Sequence, residues 1–239
     1  MDELIRINIT DIQPEAADVL NSQGIPADTT VPQKIVSLMD EAKALVQQLA
    51  DPLAVMRDIS IEDFESVFKG EGYNDSEAPL KDIYRQADEL ALYAVTLGGK
   101  VTSQIDDLFQ THDFALGMML DSACSVAADN ASHLMERYFY EKLERANGCS
   151  ILGYSPGYCG WHVSAQKKLF AYLEPERIQL FLNSSYLMHP LKSVSGVLVA
   201  GNREIHDFDA SFTFCKECKN RTCQDRNIDT IGERFAGDC

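Results

Sequence analysis

MHPLKSVSGVLVA, residues 188–200, is the stretch on which the fold turns. From Ser193 onward it is rich in valine and free of charge, which reads as a buried strand over residues 193–200. Gly196 interrupts that strand without a side chain, marking a place where another backbone or a ligand approaches closely. Lys192 and Ser193 stand at the strand's start. They either simply open the strand or contact a bound molecule or an acidic partner.

Working outward, GYSPGYCGWH (residues 153–162) is built of turn formers and carries Tyr158, the single tryptophan Trp161 and the titratable His162. Ser155 and Gly157 let backbone approach a flat ligand, and the aromatics pack on its face or edge; the plainer reading is a tight turn anchored by a buried tryptophan. His162 can serve as an axial metal ligand or as an ordinary structural histidine. A helix follows from Ser164 as N-cap to Leu173, and Glu174-Pro175-Glu176 starts a second one. On the C-terminal side, residues 205–214 alternate loosely as a further strand that leads into FCKECKNRTCQDR (214–226).

Upstream, residues 113–145 place Leu116, Met119, Leu120, Ala123, Val126, Ala127, Ala131 and Leu134 at three-and-four spacing, a long helix closed by Asn147-Gly148. Its small Ala and Ser residues imply that something packs close to its middle, and Asp121, Ser122 and Asp129 are candidates to line a small-molecule pocket or are simply solvated. Residues 80–92 are expected to be helical, running into AVTLGG (94–99), with KGEGYNDSE (69–77) as a surface loop before them. Apolar residues recur at helical spacing from Pro32 to about Leu53, where Asp51-Pro52 ends the run, and residues 3–12 alternate as a strand.

The 239 residues, 45% hydrophobic and 24% charged, suffice for one substantial core with an appendage. We expect an N-terminal strand and helix elaboration over 1–75, a core over 76–212 and a Cys-rich tail over 213–239 packed on that core. Lysine and arginine number 21 against 37 acids, a net charge of −16 that repels phosphate backbones and anionic lipid, so neither nucleic acid nor membrane is an expected partner. The first twenty residues lack a basic and apolar leader pattern and no stretch approaches the roughly 20 apolar residues of a membrane span, so the expected location is the cytoplasm. Oligomeric state is not legible.

Seven cysteines in such a chain favour metal or cluster ligation over disulfides. Cys215-x-x-Cys218-x4-Cys223 lets three thiolates converge, with Cys159 or Cys239 as a fourth; an iron–sulfur cluster of the [4Fe-4S] type, a structural zinc and free thiols are all compatible with the spacing.

Three segments in order resemble the activation domain of cobalamin-dependent methionine synthase and its stand-alone relatives in anaerobes. They are AVTLG (94–98) followed by the long helix bearing Asp121-Ser122, then Ser155-Pro156-Gly157-Tyr158, and then Met188 through Gly196. The last is similar to the family's Met-x-Pro-x-x-Ser-Val-Ser-Gly run. Gly153 stands where the family's Arg-x-x-x-Gly-Tyr loop has its arginine, and Ala128 or Asp129 where the long helix has a glutamate.

The resemblance implies an α+β fold with a bent, mainly antiparallel sheet and flanking helices. It also implies a corrinoid-binding protein or methyltransferase as partner, and the rescue of cobalt that has slipped to Co(II). In methionine synthase that rescue uses S-adenosylmethionine and an outside electron. Here Ser155, Gly157, Tyr158, Trp161, Lys192, Ser193 and Asp129 become the expected cofactor-binding residues for corrinoid or S-adenosylmethionine. Cys159, Cys215, Cys218 and Cys223 become the expected metal ligands, and one-electron reduction of the corrinoid the expected activity. The alternatives are an S-adenosylmethionine-dependent reactivase and a corrinoid-binding module with structural zinc that is not an enzyme.

Overall fold

The computed structural model describes residues 2–26, 29–143 and 149–207. Strands β1 (Asp2–Arg6), β2 (Leu53–Ile59), β3 (Glu89–Thr96), β4 (Cys149–Tyr154) and β7 (Ser193–Asn202) form one sheet in the order β1-β2-β3-β7-β4, every neighbouring pair antiparallel. Helices α1 (Ala16–Ser22), α2 (Gln33–Leu49), α5 (Gly99–Gln110) and α6 (Phe114–Lys142) belong to one face; α3 (Ile61–Lys69), α4 (Leu80–Ile83) and α7 (Gln166–Leu173) belong to the other. A small hairpin of β5 (Phe181–Leu182) and β6 (Met188–His189) precedes β7. The expected α+β class with an antiparallel sheet and flanking helices is what the structure has.

The sheet is buried on both sides, and the side chains of β3 alternate between two cores. Ala91, Tyr93 and Val95 face α6, while Leu90, Leu92 and Ala94 face Phe64, Trp161 and α7. A strand covered on both faces has no polar period, so ELALYAVT reads as an unbroken apolar run. That is why the helix expected over 80–92 is in fact one turn of α4, a 3-10 turn at 84–86 and then β3. Earlier in the chain α2 stops at Leu49, just before Asp51-Pro52, and residues 53–59 form β2, a strand that the sequence reading leaves unassigned. The N-terminal strand is shorter than the alternation of residues 3–12 suggests, because the Asn8 side chain accepts from Thr10 N–H and turns the chain into a 3-10 turn over Ile9–Ile12.

At the other end of the chain, residues 203–206 form a 3-10 turn where a strand was expected to begin. Residues 208–214, the tail with Cys215, Cys218, Cys223 and Cys239, and the Asn147-Gly148 cap lie outside the described residues. The sheet runs across the expected boundary at residue 75, since β1 and β2 continue onto β3.

α6, with 29 residues, is about 44 Å long at 1.5 Å per residue and lies lengthwise over β3 and β7. Ala123, Ala127, Ala128 and Ala131 are buried along it, the small side chains that let a helix approach a sheet closely. Its far end is fixed by Lys142, whose ammonium pairs with Asp58 at 2.7 Å and Glu3 at 3.0 Å.

Candidate functional site

The two most distinctive sequence segments meet at Gly196. Val197 pairs with Tyr154 in the sheet, and just beyond that pair the chain leaves β4 and crosses the α6 face of β7. A Cβ on Gly196 would overlap the Tyr154 carbonyl oxygen and come within 3.2 Å of Ser155 Oγ, so only glycine admits this crossing. On the opposite face Ser195 donates to Gln166 Oε1 at 2.7 Å, both buried, which fixes the start of α7 beneath the loop.

The loop itself is closed on its own backbone. Gly157 N–H donates to the Trp161 carbonyl at 2.7 Å, and Tyr158 and Trp161 N–H donate to the Ser155 and Tyr158 carbonyls. Gly157 has φ +97° and nothing within 4 Å of an added Cβ, leaving open space on its outer side. Tyr158 is 47% exposed beside it, and Cys159, half-buried, takes φ +50°. Trp161 is different: it is 1% exposed, packed edge-on to Phe64 and tilted against Phe68, and its indole N–H donates to the Phe68 carbonyl at 3.1 Å. It anchors the loop to the core and presents no face to a ligand. His162 accepts from Ser164 N–H through Nδ1 and so caps the following turn.

Lys192 and Ser193 are engaged within the chain. The Lys192 side chain is 12% exposed, and its ammonium pairs with Asp121 at 2.7 Å and donates to Ser125 Oγ at 2.9 Å, joining the start of β7 to α6. Ser193 Oγ lies 2.8 Å from both Thr96 Oγ1 and the Pro190 carbonyl. Asp129 is on the exposed side of α6, two turns beyond Asp121. The structure thus sets Ser155 against β7 at Gly196, with Gly157, Tyr158 and Cys159 in the same loop and Trp161 behind them in the core, while Lys192 and Ser193 are bonded to α6, Thr96 and Pro190 at the start of β7.

Of the polar seam that runs from this end along α6, sequence reasoning singles out only Asp121. Asp121, Ser125, Ser132 and Glu136 recur at helical spacing on one flank. Ser132 Oγ is 2.6 Å from Tyr93 OH, and Glu136 Oε1 accepts from Gly153 N–H at 2.8 Å. Two hydroxyls and two carboxylates four, seven and four residues apart on an Ala-rich helix are a signal that the seam left in the sequence. Cys124 lies within the same helix, fully buried, and burial pushes its thiol up to about 12, so it is no nucleophile at neutral pH. Among the described residues no three His, Cys, Asp or Glu side chains converge as metal ligands, and no helix is long and apolar enough to cross a membrane.

A sheet sandwiched between helices, with one long helix lying along it and a glycine-rich crossing at the start of its penultimate strand, has the fold class of a methionine synthase reactivation domain. The chain is similar to the solved crystal structure of the MetH reactivation domain bound to AdoHcy, at a TM-score of 0.63 and 15% identity, over 87% of this chain and 80% of that one. No protein-family model and no curated protein matches.

Proposed function

We propose that this chain docks on a corrinoid-binding protein and returns its Co(II) centre to service by one-electron reduction. The observation that carries the reading is the contact at Gly196. It brings Ser155 against β7, with open space outside Gly157, on a fold shared with a reactivation domain. In this reading Gly157 and Tyr158 meet the macrocycle or its carrier, Ser155 holds the crossing, and Lys192 and Ser193 fix the neighbouring strand start.

The donor side of the proposal rests on the tail. Cys215, Cys218 and Cys223, with Cys159 as fourth thiolate, would hold a [4Fe-4S] cluster that supplies one electron when bound, taking cobalt from Co(II) to Co(I). Cys159 suits that part because it stands in the docking loop itself. The test is anaerobic reconstitution followed by metal analysis and EPR. Near four irons per chain with a reducible signal, lost in Cys215→Ala together with corrinoid reduction, is the expected result. Stoichiometric zinc without iron would instead make the tail structural and the protein a binding module.

A second reading, favoured by the AdoHcy in the solved relative, places an S-adenosyl ligand in the seam. The residues present do not fit its amino-acid end at Gly153. A side-chain atom there would already meet Glu136 Oε1 at 3.0 Å and Tyr93 OH at 3.2 Å, so a ligand carboxylate would face a carboxylate where it needs a guanidinium. Calorimetry with millimolar S-adenosylmethionine is expected to show no binding; saturable heat would restore the methyl-donor reading.

A further inference from the structure

The loop proposed above as the docking element is held in place from a distant part of the sequence. Asn74 sits half-buried in the segment between α3 and α4, and its amide makes two bonds at once. Nδ2 donates to the Phe68 carbonyl at 2.6 Å, and Oδ1 accepts from His162 N–H at 2.9 Å. The Phe68 carbonyl is also the acceptor of the Trp161 indole, so one peptide oxygen and one side-chain amide fix two consecutive residues of the loop. Next to them Asp75 N–H donates to the Gly160 carbonyl at 2.9 Å, and Gly160, at φ +73°, lies so close that an added Cβ would be 2.9 Å from Asp75 Cβ.

These bonds have the pattern of a latch. A short side-chain amide offers one donor and one acceptor in fixed geometry, and here each is matched to a backbone group that would otherwise be left without a strand or helix partner. The loop's own hydrogen bonds close residues 155–161 on themselves but do not tie them to the rest of the molecule. The ties include the indole, Asp75 and Asn74. Of these, only Asn74 grips through its side-chain amide, so its loss releases His162 without opening the sheet.

We infer that Asn74 is a positioning residue: it sets the orientation of residues 157–162 and thereby the affinity for a corrinoid-bearing partner. The docking half of this inference rests on the function proposed above; the positioning half does not. Trp161, the single tryptophan, supplies a readout of loop position that is independent of any ligand.

The test compares the intact chain with Asn74→Ala and the isosteric Asn74→Asp, which keeps an acceptor for His162 N–H but loses the donor to Phe68. Tryptophan emission, acrylamide quenching and the melting midpoint are measured first. Binding of cob(II)alamin follows, both free and carried on the cobalamin-binding domain of a methionine synthase. Asn74→Ala is expected to red-shift the emission, at least double the quenching constant and weaken binding about tenfold, the size of one buried hydrogen-bonding group. Asn74→Asp is expected to fall between it and the parent. Unchanged emission and quenching in a folded Asn74→Ala would overturn the positioning role. A shifted emission with undiminished binding would leave Asn74 as the latch and overturn the loop's part in docking.

Discussion

Gly196 lies directly beneath the carbonyl of Tyr154, at a separation that leaves no room for a side chain. Gly196→Ala must push β4 and its loop off the sheet. Overpacking of this kind, against backbone, costs about 2–3 kcal/mol, read as a lower urea midpoint with an unchanged slope. An alanine variant as stable as the parent would show that the crossing is looser than described.

Lys192 and Asp121 contribute unequally. Asp121 is half-exposed and keeps water when its partner is removed, whereas Lys192 is 12% exposed and would retain only Ser125. Asp121→Ala is therefore expected to cost about 1–2 kcal/mol and Lys192→Ala less than about 1 kcal/mol, apart from lost packing of its stem. Chemical denaturation of the two single variants and the double variant checks this. Equal losses would place the pair in open solvent.

His206 gives the fold a specific acid sensitivity. It is buried against the Tyr154 ring, with Nδ1 2.9 Å from the Tyr154 hydroxyl, and burial brings its pKa from 6.5 down to about 4 despite the Asp207 carboxylate nearby. The unfolded chain therefore takes up a proton between those values that the folded chain refuses. Stability is full above about pH 6.5 and falls as the pH drops toward 4, by up to roughly 3 kcal/mol. Glu3 and Asp2, held below their ordinary values chiefly by hydrogen bonds from Tyr138 and Arg177, extend the loss to lower pH. Melting curves of His206→Phe should be flatter between pH 6.5 and 4.5; an unchanged slope would assign the sensitivity elsewhere.

Cys124 and Cys159 should differ in reactivity. Cys124 is fully buried with its thiol pushed up to about 12, while Cys159 is half-buried in the surface loop. Brief iodoacetamide treatment of the native chain at pH 7.5 is expected to leave Cys124 unmodified by peptide mass spectrometry, and denaturation to expose it. Labelling of Cys124 in the native state at the denatured rate would contradict the packing of α6.

What was legible in the sequence follows the physics of burial. α6 announced itself because one face is wet along much of its length, and β7 because valines cluster between a proline and an asparagine. β3 did not, since a strand covered on both faces loses its alternation, and β2 passed unread for the same reason: Ala54, Val55 and Met56 are all fully buried. At the site, the roles of the motif residues divide. Trp161 is a core anchor, and Lys192 is paired inside the chain. The helical spacing of Glu136 shows in the sequence but its bond to Gly153, 17 positions away, does not, and Asn74, which holds His162, is a single polar residue whose partner is 88 positions away, beyond any local pattern.

The central claim is most directly tested by mixing the anaerobically reduced, desalted chain with a cob(II)alamin-loaded corrinoid protein and following Co(I) absorbance. The account predicts that each reduced chain converts about one cobalt, and that Cys215→Ala converts none. Absence of Co(I) from a fully iron-loaded, reduced chain, or equal conversion by the Cys215→Ala variant, would contradict it.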